Sequence, residues 1–150
     1  MTLPPVVKTL HVDLPPADAF DLFTARIGEW WPVETHSVSS DAGKASQALE
    51  MGQGVGDDLV ETAHDGTRHV WGKIQEWAHG TAFAMTWHPG RVDSAETQVR
   101  VTFEAEGSGT TVTLTHTNWE VLGESASRTR NAYDSGWDPV MARYGETVLA

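Results

Sequence analysis

From Thr97 to Thr117 apolar and polar residues alternate, and after Trp119 the alternation gives way to steps of three and four. That switch of period narrows the fold further than any other feature of the chain. In the first arm Val99, Val101, Phe103 and Ala105 fall between Gln98, Arg100, Thr102 and Glu104. Across Gly107-Ser108-Gly109, Val112 and Leu114 fall between Thr111, Thr113 and Thr115. A period of two sets one face of a strand against a core and the other against water. Thr97 to Glu106 and Thr110 to Thr117 therefore read as two half-buried antiparallel strands. Tyr133, Trp137, Val140, Met141, Tyr144 and Val148 then form one helical stripe. Pro139 lies inside that stripe and cannot donate to residue 135, which predicts a kink or break near Gly136 and a second helix capped by Asp138.

The remaining elements follow from the same two periods. Thr9 to Leu14 reads as a strand with Leu10, Val12 and Leu14 on one face, and Pro15-Pro16 stops it. Phe20, Phe23, Ile27 and Trp30 share a helical face, which Gly28 is expected to divide into two short helices before Pro32 ends the second. Short strands are expected over Ser46 to Met51, Leu59 to Ala63, Thr67 to Trp77 and Ala82 to Trp87. Turns are expected at Asp65-Gly66, His79-Gly80 and His88-Pro89-Gly90. In Thr67 to Trp77 the two faces conflict, because Val70, Gly72 and Ile74 oppose Trp71 and Trp77. Sequential strands joined by tight turns form an antiparallel meander, and the first strand can pair with its end. The expected fold is thus α+β, in one domain over residues 1–150. It has a strongly curved antiparallel sheet of about seven strands wrapped around a long C-terminal helix, with two short helices after the first strand. A wide aromatic stripe does not close flush on a curved sheet, so an apolar cavity is expected between them.

Composition excludes several functions. The 150 residues are 39% apolar, and the longest apolar runs, such as Ala82 to Thr86, are far too short to span a bilayer. Residues 1–7 lack the basic and apolar regions of a signal peptide, and without cysteine there is no disulfide or thiolate site, so a cytoplasmic protein is expected. A net charge of −11 with scattered basic residues argues against nucleic acid and anionic membranes as partners. The seven histidines lack the spacing that converges ligands on an ion, so no metal is expected. Gly52-Gln53-Gly54-Val55-Gly56 lacks the lysine of a phosphate loop and reads as a turn between strands, and no cofactor is expected. A homodimer is compatible with a small acidic domain, but no residue pattern specifies one.

The order of elements and the residues at their joints resemble the helix-grip, or START-like (SRPBCC), superfamily. Within it they resemble the family named for homology to the activator of heat-shock protein 90 ATPase. The resemblance is carried by Ala19-Phe20-Asp21-Leu22-Phe23-Thr24, Trp30-Trp31-Pro32 and His36-Ser37. It continues in Trp71-Gly72-Lys73-Ile74 with Trp77, in Thr86-Trp87, in Thr110 to His116 with Trp119, and in Tyr133-Asp134-Ser135-Gly136-Trp137. It covers nearly the whole chain. It implies a domain that holds lipids, hormones, aromatic polyketides or other apolar molecules between sheet and helix, a cavity that some members use for cyclisation or dehydration. The co-chaperone activity behind the family's name leans on an additional N-terminal domain. The chain opens at the first strand, so that activity is not expected of it. The chain departs from the pattern at Pro139. The scarcity of inward basic residues argues against a phosphate or an acid as ligand.

The residues expected near the cavity are Trp31, His36, Trp71, Phe83, Met85, Trp87, Phe103, His116, Trp119, Tyr133, Trp137 and Met141. Such a set forms an aromatic pocket with few polar groups, although the same periodicity also marks ordinary core. His116 continues the dry face of Val112 and Leu114 and is the candidate for a proton-moving or ligand-orienting group. A core histidine bonded to backbone is its alternative. His36, in the loop after the tryptophan pair, is placed at the mouth with Glu34. Of Trp30 and Trp31, about 100° apart on a helix, one ring is expected in the core and the other toward the opening. The function expected is binding of a small apolar or aromatic molecule. A cyclase- or dehydrase-like enzyme using the same cavity and a chaperone-associated interaction module are the alternatives.

Overall fold

The computed structural model describes residues 3–88 and 96–149; the expected stop at Pro89-Gly90 lies outside them. In chain order the elements begin with β1 (Val6–Val12) and α1 (Pro16–Phe23), followed by 3-10 turns at Ile27–Glu29 and Ser39–Ala42. Then come β2 (Ala48–Met51), β3 (Asp58–Thr62), β4 (Arg68–Ala78), β5 (Ala82–Trp87), β6 (Thr97–Glu106) and β7 (Gly109–Thr117). A 3-10 segment, Trp119–Ser125, leads into α2 (Ala126–Leu149). The seven strands form one antiparallel sheet in the order β1-β7-β6-β5-β4-β3-β2, curled as a half-barrel, and α2 lies in its concavity. This is the α+β helix-grip architecture that the periodicities require.

The concave face is built by cross-strand pairs. On β6 and β7 Val99 stands opposite His116, Val101 opposite Leu114 and Phe103 opposite Val112, and all six are buried. β4 resolves its conflict of faces with irregularities. Its register against β3 slips between Leu59 and Val60, and its register against β5 slips between Ile74 and Glu76. Each extra residue reverses the side-chain phase, so Trp71, Ile74 and Trp77 reach the same core at intervals of three. Gly72 sits between them under the neighbouring strand, where a Cβ would overlap the Thr86 carbonyl oxygen.

Three boundaries differ from expectation. β1 runs over Val6–Val12, not from Thr9 to Leu14, because its pairing with β7 starts at Val6 opposite His116 and ends at Val12 opposite Thr110. α1 ends at Phe23, before Gly28. Thr24 directs both its amide and its hydroxyl to the Phe20 carbonyl, the hydroxyl at 2.8 Å, and Gly28 lies in the following 3-10 turn against the Leu49 carbonyl. The third difference is Pro139, which neither breaks α2 nor starts a second helix capped by Asp138. Pro139 and Ser135 are both exposed, so the carbonyl that loses its partner meets water. Val140, Met141 and Tyr144 meanwhile hold the buried stripe in place. The loop that contains Asp65-Gly66 is also one residue longer than a two-residue turn, since the Ala63 amide donates to the Thr67 carbonyl at 2.7 Å.

No helix among the described residues is long and apolar enough to cross a membrane.

Candidate ligand-binding site

Large side chains fill the half of the concavity nearest α1. Phe20 packs edge-on to Trp77, Phe103 and Phe83 at centroid distances of 4.9, 5.2 and 6.0 Å. Phe23 meets Trp30 and Tyr144 at 5.0 and 4.9 Å. The Trp30 indole N–H donates to the Leu22 carbonyl at 2.8 Å, and the Tyr144 hydroxyl to the Ala19 carbonyl at 2.8 Å. The space left between sheet and helix here is a void of about 10 Å³ lined by Phe83, Met85, Leu114 and their neighbours, no more than one water would need. The centre of the expected cavity is therefore solid. Phe83, Met85, Phe103 and Met141 belong to packed core.

An opening of about 360 Å³ lies at the other end. Its floor is Trp31, Trp71, Trp87 and Trp137, four rings in mutual contact at centroid distances of 5.2 to 6.0 Å. Ala132, Tyr133, Gly136 and Val140 of α2 form one wall. The facing wall is a strap of small and polar residues between Trp31 and β2, namely Thr35, His36, Ser37, Val38, Ser40 and Asp41. Past the 3-10 turn that ends at Glu29, Trp30 is fully buried in the core and Trp31 lines the cleft.

The strap is fixed from beneath. The Trp31 indole donates to the His36 carbonyl at 2.6 Å. The Ser37 hydroxyl donates to the Val33 carbonyl at 2.6 Å and the Ser40 hydroxyl to the Ser37 carbonyl at 2.6 Å. His36 Nδ1 lies 2.7 Å from the Thr35 hydroxyl. Glu34 does not reach the lining; it pairs with Arg143 of α2 at 2.6 Å, and that guanidinium holds its carboxyl below the usual range. Glu61, which the sequence reading passed over, is fully buried and accepts from the backbone amides of Val38 and Ser39. Its signal was available: it shares a strand face with Leu59 and Ala63, a charged residue in a dry phase.

His116 is also fully buried, and its ring does face inward. The Trp137 indole N–H donates to Nδ1 at 3.0 Å, which makes Nδ1 an acceptor and Nε2 the protonated nitrogen. Nε2 lies 2.7 Å from the Thr97 hydroxyl, which itself donates to the Trp87 carbonyl at 3.1 Å. The imidazole thus braces Trp137 and Trp87 from behind, and it is not on the lining. Trp119 packs against it, tilted by 36° at a centroid distance of 4.1 Å, and is likewise behind the cleft. Of the twelve expected residues the structure brings Trp31, His36, Trp71, Trp87, Tyr133 and Trp137 together. Among the described residues no group of three side chains is placed to hold a metal ion.

Residues 13–143 match the family described as Activator of Hsp90 ATPase homolog 1-like protein. Among solved structures, the anthrahydroquino-gamma-pyrone synthase Txn09, solved complexed with SUM, is 31% identical; the alignment covers 97% of each chain with a TM-score of 0.66. A protein from Mesorhizobium loti aligns over 97% of this chain and 96% of its own at 16% identity, with a TM-score of 0.69. The Aha1 dimer from Colwellia psychrerythraea aligns over 97% and 96% at 14% identity, with a TM-score of 0.66; these last two likenesses concern the fold. A comparison with curated protein sequences finds no match. Proteins of this fold bind ligands or act as polyketide cyclases. With a match over most of its length, this chain belongs to the Activator of Hsp90 ATPase homolog 1-like family.

Proposed function

We propose that the protein binds a flat, largely apolar aromatic molecule in the cleft between the strap and α2. One observation carries this reading: four tryptophans and Tyr133 converge on an opening of about 360 Å³, while large side chains among the described residues fill the interior nearest α1. Ligand pockets commonly measure about 300–1,000 Å³ and combine an apolar lining with a few polar groups that fix orientation. Here the hydroxyls of Thr35, Ser37, Ser40 and Tyr133, with the His36 imidazole, supply those groups. The test is thermal unfolding with a panel of planar two- to four-ring compounds. A ligand at about 100 times its dissociation constant adds about 2.7 kcal/mol, a rise of about 5–10 °C for a domain of this size. A panel of neutral polycyclic aromatics that leaves the transition unmoved removes the reading.

A second reading, an enzyme acting on an aromatic polyketide in the same cleft, is favoured by the 31% identity to a pyrone synthase over almost the full length of both chains. With both His116 nitrogens engaged inside the wall, proton transfer in this reading falls to His36 and Asp41 of the strap. Turnover of a polyketide that disappears in His36→Ala while binding persists would favour it. Binding without turnover favours the first.

A further inference from the structure

Glu61 stands on the concave face of β3, opposite Leu49 on β2 and His69 on β4. Full burial makes it a position where an apolar residue is the default, because a carboxylate taken out of water is unfavourable unless hydrogen bonds compensate. The compensation comes from three donors. Oε1 accepts the Val38 amide at 2.8 Å and the Trp71 indole N–H at 3.1 Å, and Oε2 accepts the Ser39 amide at 3.0 Å. A set made only of donors suits an ionised carboxylate, which only accepts. No cationic side chain among the described residues lies within ion-pair distance of it.

These donors belong to two different parts of the cleft. Val38 is in the strap wall, and Trp71 is in the floor. Other ties secure the strap: the His64 amide donates to the Ser39 hydroxyl at 2.9 Å, and the Trp31 indole holds the His36 carbonyl. Glu61 differs from the first of these in touching floor as well as strap, and from the second in doing so through a charge.

We propose that Glu61 is a positioning residue for ligand binding: its carboxylate sets the strap and the Trp71 ring in one relative placement, so wall and floor receive a ligand as a unit. It acts through Val38, Ser39 and Trp71 and does not touch the ligand. The inference rests on the cleft being a ligand site. An amide in its place has nearly the same shape, but its NH2 faces either the Ser39 amide or the Val38 amide and the Trp71 indole together. Glu61→Gln therefore loses a strap bond in either orientation, and in one of them the indole bond as well.

The experiment combines amide hydrogen exchange with titration of a neutral planar probe, 1,8-dihydroxyanthraquinone, on the full chain. In the native protein the Val38 and Ser39 amides are expected to exchange slowly, and more slowly with the probe bound. In Glu61→Gln they are expected to exchange at least about tenfold faster while β6 and β7 amides keep their protection, and probe affinity is expected to fall about tenfold. Val38→Pro gives the complementary variant if Glu61→Gln does not fold. It removes one of the two strap donors at a φ of −64° that already suits proline, and it leaves the sheet alone. The same loss of affinity is expected. Unchanged affinity in either variant, or unchanged Val38 and Ser39 exchange in Glu61→Gln, overturns the inference while leaving the cleft reading intact. Failure of the native protein to bind the probe or any other planar aromatic overturns the cleft reading and this inference with it.

Discussion

Gly136 offers the sharpest separation between a cleft that is kept open and one that is merely badly packed. It lies inside α2, has no positive φ, and a Cβ built on it meets nothing within 4 Å. Glycine in a helix interior is about 1 kcal/mol less favourable than alanine, and no local strain or close approach requires it here. Gly136→Ala is therefore expected to stabilise the free protein by about 0.4–1 kcal/mol, a rise of about 1–4 °C in melting temperature. Gly136→Leu carries the same helix advantage in weaker form and projects its side chain into the 360 Å³ opening. It is expected to abolish binding of a planar aromatic while leaving stability within about 0.5 kcal/mol of the native value. Calorimetry and probe titration on the two variants together read both effects. A destabilised Gly136→Ala would refute the claim that the position is unconstrained by the fold. A Gly136→Leu that binds as the native protein does would refute the placement of the ligand beside α2.

Other perturbations test the parts around the cleft. His116→Ala leaves the Trp137 indole N–H without its acceptor and opens space behind Trp87, so a loss of about 2–4 kcal/mol is expected in urea unfolding; a loss under about 1 kcal/mol would contradict its role as a brace. Burial raises the pKa of the Tyr144 phenol above its ordinary value of 10.0. Its contribution to stability is therefore complete below that pH and declines as the unfolded phenol ionises above it, by about 1.4 kcal/mol per pH unit. Tyr144→Phe is expected to cost about 1 kcal/mol at neutral pH, for the bond to the Ala19 carbonyl, and to reduce the alkaline slope by one proton; an unchanged slope would refute the assignment. Gly72→Ala is expected to cost at least about 3 kcal/mol or to prevent folding, because the added methyl meets backbone at Thr86 and not a movable side chain. A Gly72→Ala protein of native stability would refute the close approach of β4 and β5 at this position.

The strands were legible because their signal is local. Val99, Val101 and Phe103 alternate against charged and hydroxyl neighbours, and the pairing they imply is the pairing found. β4 was not legible in phase, since a bulge is fixed by the neighbouring strands and leaves no mark on the alternating strand itself beyond the odd spacing of Trp71, Ile74 and Trp77. Pro139 misled because its effect depends on whether the freed carbonyl meets water, a property of the docked helix and not of the residue. The site was half legible for a related reason. Period and aromatic content identify Trp87, Tyr133 and Trp137 as inward-facing. They do not say which inward-facing ring meets another ring and which meets space. The strap has no period at all, so its wall residues other than His36 went unread.

The position of the opening follows from where the bulk is spent. α1 and the turn after it deliver Phe20, Phe23, Ile27 and Trp30 to one end of the half-barrel, and together with Tyr144 they close it. At the other end the covering segment brings only Thr35, His36, Ser37, Val38, Ser40 and Asp41, and α2 turns Ala132 and Gly136 toward them. Large rings below and small residues above leave a gap that no rotamer change in the floor can fill, because each floor indole is already packed against its neighbours. The fold's stability then resides mainly in the filled end, and the shape of the cleft resides in the strap and in two small residues of α2. Substitutions in the strap at positions 35–38, 40 and 41 should therefore alter what the cleft accepts with little effect on unfolding. The same changes in volume at Phe20 or Phe83 should cost stability without touching ligand preference.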